Sequence, residues 1–461
     1  MGEGMAKADM ISYLGIAFLL LMLIGFSATG TIGTDNGWMA LLSKHIHETG
    51  HMVTPVLGTE ISFGKLYSLL GAYIYGLYPG YFGQNLISIL LTGLTLLLLY
   101  RLGTEIFSEE KQAGFLAALI LCLFGCASGI LVGSRPESIY ISMLVLLLYS
   151  LWRFYSEGLN YRWIYLATAA ASIAAVTHPN GLVLFVILFV VAILEIYRKR
   201  ILWRGFLTAI VLALFLTYGG LIYAGTVAGF LAGFSKVAQD SGHTLPFYYE
   251  YVRYKQFFYL YPYLILPVLF GFVGLVRMYY SPVRKKYGEF FSIFYGSFLF
   301  ILFYLLMLGT KWEYYLALEF PYLVIGNVYF FRSLRVPMRY INGFLAAVLA
   351  VLLFYKLPGN EEFLKLMHIP SGRVTLLENV KKQVEGKTVL TPIQTFFLFQ
   401  HTRMIPLESL GYRGMAKDPD YVVLNVLARK EKYEKLLGVK LQYQQGFQYN
   451  GSFYNLFRVK R

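Results

Sequence analysis

Charge is what this sequence lacks. Only 14% of its 461 residues are Asp, Glu, Lys or Arg, where a soluble globular domain carries about 25%. With 57% hydrophobic residues and a mean hydropathy of +0.57, the chain has more apolar surface than a soluble core could hide. The composition therefore points to an α-helical polytopic membrane protein. Cysteine is nearly absent as well. Cys122 and Cys126 stand in one apolar run, LILCLFGCASG, four residues apart on one helix face, which suits small buried hydrophobes better than a disulfide or a metal site. No internal repeat or low-complexity linker is present, and the C-terminal segment has no nucleotide-binding glycine motif.

What is there in quantity is the long apolar run. Crossing ~30 Å of hydrocarbon takes ~20 residues, and runs of about that length centre near residues 20, 92, 122, 146, 170, 189, 213, 267, 299, 323 and 348. That predicts about eleven spans. The first run, Met10 to Ala28, is longer than a signal-peptide core of ~7–15 residues and is read as a retained helix. The formal net charge of +15 sits in short loops. Arg198-Lys199-Arg200 with Arg204, Arg277 with Arg284-Lys285-Lys286, and Arg332 with Arg335 and Arg339 occupy alternate connections. This is an orientation signal that marks those loops cytoplasmic, and it argues against a nucleic-acid partner.

Counting back places Arg153, Arg162 and the 100–112 segment inside, and 31–80, 132–138, 177–181, 225–256 and 309–314 outside. The count requires that LYSLLGAYIYGLYP (66–79) be a juxtamembrane helix rather than a span, as its glycines and terminal Pro79-Gly80 suggest. The aromatic crowd FYYEYVRYKQFFYLYPYL (247–264) reads as an interfacial belt. Two domains are expected: 1–357, a transmembrane domain with the outer loop 31–80 and its juxtamembrane helices, and 358–461, a small extracytoplasmic α/β domain. In the second, EEFLKLMH and LLENVKKQVEG are helix-like, while KTVLTP, DYVVLNV and SFYNLFRVKR are strand-like.

His47-Glu48-Thr49-Gly50-His51 matches the H-E-x-x-H pattern, so a zinc membrane metalloprotease is one reading. Zinc ligation by His47 and His51, with Glu48 at the metal-bound water, needs one continuous helix to bring both histidines to one face. Gly50 is instead the residue expected just past a helix end, and His45, His178 and His243 are the candidates for a third ligand. A lipid-linked glycan transporter is the other alternative. Transporters, however, place ionisable groups at mid-membrane, and here only Glu319 falls within an apolar run.

The other polar groups gather at predicted outer helix ends. They are Asp35, then Arg135 and Glu137 in GSRPES, His178 and Asn180 in THPNG, Arg253 and Lys255, and Lys311 and Glu313 in GTKWEYY. Each has an ordinary reading: Asp35 as the N-cap of a helix starting near Gly37, Arg135 as an interfacial anchor with Glu137 its ion-pair partner, Lys311 as a snorkelling residue, and His178 as a helix-end hydrogen-bonding group. Together they describe one outer cavity for a substrate with a charged head and a lipid tail.

These motifs, in this order, resemble the GT-C class of membrane glycosyltransferases, which includes protein O-mannosyltransferases and the lipid A aminoarabinose transferase. The stretch GTDNGWMALLSKHIHETGH follows the family's first outer loop and FGQNLISILLTGLTLLLLYRLGTEIF its second span. SRPESIY and THPNG resemble the later outer motifs, and KWEYYLALEFP resembles a K-x-x-Y-Y-L segment near the donor phosphate.

The resemblance implies a polyprenyl-phosphate sugar donor, with a protein, lipid or glycan as acceptor. The residue chemistry then supplies the roles: the carboxylate Asp35 is the expected catalytic base, the cations Arg135, Lys311, Arg253 and Lys255 are expected at the donor phosphate, and Glu137, His178, Asn180 and Tyr314 line the pocket. The resemblance also implies a multi-pass protein of a prokaryotic plasma membrane. Asp35 is followed by Asn36 where relatives often have a second acid. Metal dependence is thus open, since Asp35 and Glu137 in separate loops bind a divalent cation or none; no other cofactor is implied.

Overall fold

The computed structural model describes residues 2–29, 34–51, 65–78, 81–107, 110–198, 203–223, 246–307, 313–356, 372–392, 395, 398, 403–407, 419–425, 430–449 and 452–460. The apolar runs are helical, as they must be where no water satisfies backbone N–H and C=O groups. In chain order they are α1 (Gly2–Thr29), α2 (Thr34–Thr49), α3 (Lys65–Leu77), α4 (Tyr81–Ile106), α5 (Lys111–Leu121), α6 (Glu137–Ser156), α7 (Tyr161–Thr177), α8 (Leu182–Tyr197) and α9 (Trp203–Tyr223). There follow α10 (Pro246–Leu260), α11 (Ile265–Tyr279), α12 (Pro282–Lys286), α13 (Gly288–Met307), α14 (Phe320–Ser333) and α15 (Met338–Lys356).

Among the described residues five helical stretches are long and apolar enough to cross a membrane, and shorter apolar helices, such as Leu182–Tyr197, accompany them. The chain is an integral membrane protein. Each of the eleven apolar runs falls on a helical stretch, and several of these helices, such as the 16-residue α8 and the 14-residue α14, are shorter than the ~20 residues of a full crossing. α3 is 13 residues, about 20 Å long and too short to span.

The chain folds as two compact units: residues 1–24, 62–67 and 88–351 form the first, and 25–61, 68–87 and 352–461 the second. In the first, α11 and α14 pack backbone to backbone. A Cβ on Gly274 would overlap the Gly326 carbonyl oxygen, and one on Gly326 would overlap that of Gly271. Small residues give membrane helices this close approach. Cys122 and Cys126 bound a buried π-turn that extends α5, where a thiol is simply a small apolar filler.

The helix ends of this unit sort by charge. At one end Arg153 meets Glu105 (3.3 Å) and Glu157, Arg198 meets Glu195 (2.8 Å), Arg332 meets Glu110 (3.3 Å), and Arg277 donates to Ser333 (2.9 Å). These belong to alternate connections, so the predicted basic face is a real face of the bundle. The opposite end carries the segments around 133–138, 178–181 and 313–319.

The second unit holds a five-stranded sheet in the order β2-β1-β3-β5-β4. Its strands are β1 (Thr388–Thr391), β2 (Arg403–Pro406), β3 (Tyr421–Leu424), β4 (Lys440–Tyr449) and β5 (Ser452–Lys460). β1 pairs parallel with both β2 and β3, and β3-β5-β4 are antiparallel. All four residues of β3 are buried, since both sheet faces are covered.

Tyr421 and Val423 face one layer with Val380 and Val384 of α16 (Gly372–Val384). Val422 and Leu424 face the other, with Tyr433 and Leu437 of α17 (Lys430–Leu437). The first layer also takes in Ala40 of α2 and Tyr75 of α3. The two helices expected as juxtamembrane elements of the outer loop thus share a hydrophobic core with the C-terminal sheet.

Two expectations need correction. The segment expected as an outer loop over 225–256 is helical from Pro246 to Leu260, and its remainder lies outside the described residues. α2 begins at Thr34, not near Gly37, so Asp35 stands in the first helical turn rather than capping it from outside.

Candidate functional site

At the end of the first unit opposite the basic face, a polar layer is built from three elements. The turn before α6 supplies Arg135 and Glu137, whose pairing is bidentate: Nε to Oε2 at 3.1 Å and Nη2 to Oε1 at 3.2 Å. Glu137 is the first residue of α6, where a carboxylate also meets the positive end of the helix dipole. The Ser138 hydroxyl donates to the Arg135 carbonyl (2.8 Å) and lies 2.9 Å from Ser88 Oγ. Ser88 in turn donates to the Gly133 carbonyl (2.6 Å) and lies 3.0 Å from the Tyr67 hydroxyl. This network fixes the turn that holds the ion pair.

The α7–α8 corner supplies His178 and Asn180. His178 ends α7 with extended backbone angles, and the following Pro179–Gly181 forms a 3-10 turn. Its Nδ1 accepts from the Asn180 backbone N–H (3.1 Å), which leaves the proton of the neutral ring on Nε2. The ring sits between Tyr140 and Tyr315, with centroids 5.4 and 6.1 Å away. Burial holds the His178 pKa down, to about 4 from 6.5, against the opposing pull of nearby Glu137. Histidine is therefore neutral here at physiological pH. Asn180 Oδ1 accepts from the Tyr304 hydroxyl (2.8 Å), while its Nδ2 and the Tyr140 hydroxyl face each other without a well-formed hydrogen bond among the described residues. Buried polar atoms of this kind are where a ligand or an ordered water completes the hydrogen bonding.

The third element is α10. Arg253 is fully buried, its Nη1 3.2 Å from Glu250 and its Nη2 donating to the Leu305 carbonyl (3.3 Å). Beside it Tyr254 donates to Glu319 (2.7 Å), and both Glu319 and Tyr315 lie within electrostatic reach of the guanidinium. Tyr315 is thus close to both the His178 corner and Arg253.

The sequence-predicted residues fare unequally. Arg135, Glu137, His178 and Asn180 come together. Arg253 reaches the same end through Tyr315, but Lys255 does not join it. Two positions along a helix turn the side chain through about 200°, and Lys255 is exposed, its Nζ 6.0 Å from the Tyr251 ring. Of the two cations expected at the donor phosphate, α10 thus buries Arg253 and turns Lys255 outward. Lys311 lies outside the described residues, as does the side chain of Tyr314, whose backbone is in the 3-10 turn Glu313–Leu318. Asp35 belongs to the second unit.

Sequence reading missed Tyr140, Tyr304 and Tyr315 and left Glu319 unassigned. One signal was available: Glu319 is a carboxylate inside the apolar stretch LALEFPYLVIG, and such residues need a partner.

His47-Glu48-Thr49-Gly50-His51 does not form a continuous helix. α2 stops at Thr49, Gly50 takes φ +71°, and the His51 N–H donates to Thr49 Oγ1 (3.2 Å). His47 packs on Tyr75, ring centroids 5.6 Å apart, and Glu48 pairs with Lys44 (3.8 Å). Among the described residues no three His, Cys, Asp or Glu side chains come together as a metal set.

Residues 69–223 match the sequence model of the dolichyl-phosphate-mannose-protein mannosyltransferase family. No curated protein matches the chain. Two solved structures of ArnT from Cupriavidus metallidurans share the fold. For the one bound to undecaprenyl phosphate the TM-score is 0.60 at 14% identity, over 96% of this chain and 97% of that one. For the apo state the TM-score is 0.59 at 13% identity, over 98% of each chain. The GT-C resemblance of the motifs is therefore matched by a family model over 69–223 and by the fold over nearly the whole length.

Proposed function

We propose that this chain is a GT-C-type glycosyltransferase that moves a sugar from a polyprenyl-phosphate donor to an acceptor hydroxyl at the extracytoplasmic face, with inversion. The observation that carries the reading is a buried layer of Arg135, Glu137, His178 and Asn180 at the end of the bundle opposite its basic face, in a fold shared with a protein that binds undecaprenyl phosphate. A lipid-phosphate head is anionic, so it belongs where a guanidinium is held ready in a low-dielectric site.

In this mechanism Asp35 takes the proton of the acceptor hydroxyl, whose oxygen forms a bond to the anomeric carbon. The bond from that carbon to the phosphate oxygen breaks, and the electron pair leaves with polyprenyl phosphate. Negative charge grows on the departing phosphate, and Arg135 and Lys311 are the cations assigned to meet it, with buried Arg253 as a further electrostatic support. Neutral His178, with its ring fixed by the Asn180 N–H, lines the pocket for the sugar. Asn180 and Tyr140 supply further hydrogen bonds, and Tyr314 lines the donor side. The extracytoplasmic assignment of Asp35 and of the C-terminal domain is supported by the basic loops, whose charge marks the alternate connections as cytoplasmic, and by Ala40 and Tyr75 packing into the core of the C-terminal sheet, which keeps α2 and the sheet on one side.

The test is transfer of radiolabel from a panel of polyprenyl-phosphate sugars to membrane acceptors. Wild-type protein should move label into the acceptor fraction. Asp35→Asn, still inserted and folded, should be slower by about 10²–10⁴-fold, the range of a general base. Full activity in Asp35→Asn would remove Asp35 from its role, and no transfer from any donor would remove the reaction class.

A further inference from the structure

At the basic end of the first unit a cavity of about 890 Å³ opens among the ends of α6, α8, α11 and α13. Among the described residues it is lined by four cations, Arg198, Arg284, Lys285 and Lys286, and by one carboxylate, Glu289. Two of the cations are held in place by what they touch. The Arg284 guanidinium lies 3.7 Å over the Tyr279 ring and donates to the Tyr279 carbonyl (3.2 Å). Arg198 is tied to buried Glu195 (2.8 Å), which also accepts from the Tyr155 hydroxyl (3.0 Å). Lys285 and Lys286 remain exposed. A concave surface with this surplus of positive charge attracts an anion, and arranged guanidinium and ammonium groups suit phosphate.

The rim identifies the kind of phosphate. Tyr280 in the lining, and Tyr197 next in sequence to the lining Arg198, are 78% and 86% exposed at the ends of their helices, as tyrosines are at the level of lipid headgroups. From Tyr280 the outer face of α11 continues through Val276, Val273 and Leu269, all exposed and at helical spacing along one stripe. A molecule seated among the cations thus has an apolar track leading from its head into the hydrocarbon.

We propose that this cavity binds the headgroup of an anionic phospholipid of the cytoplasmic leaflet, with phosphate on Arg284, Lys285 and Lys286 and an acyl chain along α11. The site is separate from the sugar-transfer reading and stands without it.

The test is native mass spectrometry of the detergent-solubilised full chain titrated with phosphatidylglycerol, phosphatidylcholine or inorganic phosphate. Phosphatidylglycerol should bind in preference to phosphatidylcholine, and Lys285→Gln/Lys286→Gln should weaken it by about 30-fold, from about 1 kcal/mol per basic residue at a lipid surface. Arg335→Gln/Arg339→Gln, basic residues outside the cavity lining, should leave binding unchanged. Equal binding of the two lipids, or equal losses in the two double variants, would overturn the site. Inorganic phosphate competing at the same concentration as phosphatidylglycerol would overturn the lipid assignment in favour of a small-anion site.

Discussion

Arg135 and Glu137 illustrate what a buried ion pair demands. Both side chains are largely withdrawn from solvent, so removing one takes the bidentate partner from a buried charge. Glu137→Ala should destabilise the protein by about 3–5 kcal/mol, whereas replacing both by hydrophobes of similar size, Arg135→Met/Glu137→Met, should cost much less stability. Denaturant unfolding of the two variants separates them, and comparable losses would mean that the pair is not the stabilising unit. His178 carries a pH signature. Its pKa is pushed down to about 4 in the fold from 6.5, so between those values the unfolded chain binds a proton that the native one refuses. Stability contributed by neutral His178 is complete above about 6.5 and declines as pH falls towards 4. His178→Gln should flatten that part of the stability profile, and an unchanged slope would refute the assignment. SRPES and THPNG were legible at this scale because charge stands out in an apolar sequence. Tyr140, Tyr304 and Tyr315 were not, since the chain has 39 tyrosines and only packing tells which of them turn inward.

The crossing of α11 with α14 is the element-scale feature most exposed to a single change. At Gly274 any Cβ meets a carbonyl of the neighbouring backbone, and backbone cannot rotate aside as a side chain can. Gly274→Leu should therefore exceed the ~1–3 kcal/mol of ordinary core overpacking and leave little folded protein in detergent. Gly296→Ala, in α13 with open space around it, should be tolerated and even gain up to about 1 kcal/mol from helix propensity. Size-exclusion profiles and thermal unfolding of the two variants check this; normal folding of Gly274→Leu would contradict the close crossing.

Most helices were legible as apolar runs, as were β1, β3 and β5 and the helix around LLENVKKQVEG. The expected helix EEFLKLMH lies outside the described residues. α10 was missed because FYYEYVRYKQFF mixes charges and aromatics without a long apolar run. β4 was missed because KLQYQQGFQY is polar, as an edge strand can be, and β2 because four residues carry too little pattern.

For the molecule as a whole, sidedness follows from the charge-sorted ends of the bundle, and the native cysteines make it measurable. Cys122 and Cys126 are buried, so a membrane-impermeant maleimide should report almost wholly on an introduced thiol. Thr49→Cys should be labelled in intact cells, and Lys285→Cys only after the membrane is opened; the reverse pattern would invert the topology and displace the proposed site to the wrong compartment. A C-terminal α/β sheet was legible in the strand-like segments after the change in composition near Pro358. What no composition could show is that the sheet's apolar layer is completed by Ala40 and Tyr75, more than 300 residues upstream. This sharing limits modular exchange. A chimera that swaps the tail after α15 for that of a distant homologue must import a matching pair of residues on α2 and α3, or the graft will present an incomplete hydrophobic layer to water. Natural variants that alter one partner of this seam are accordingly expected to carry a compensating change in the other.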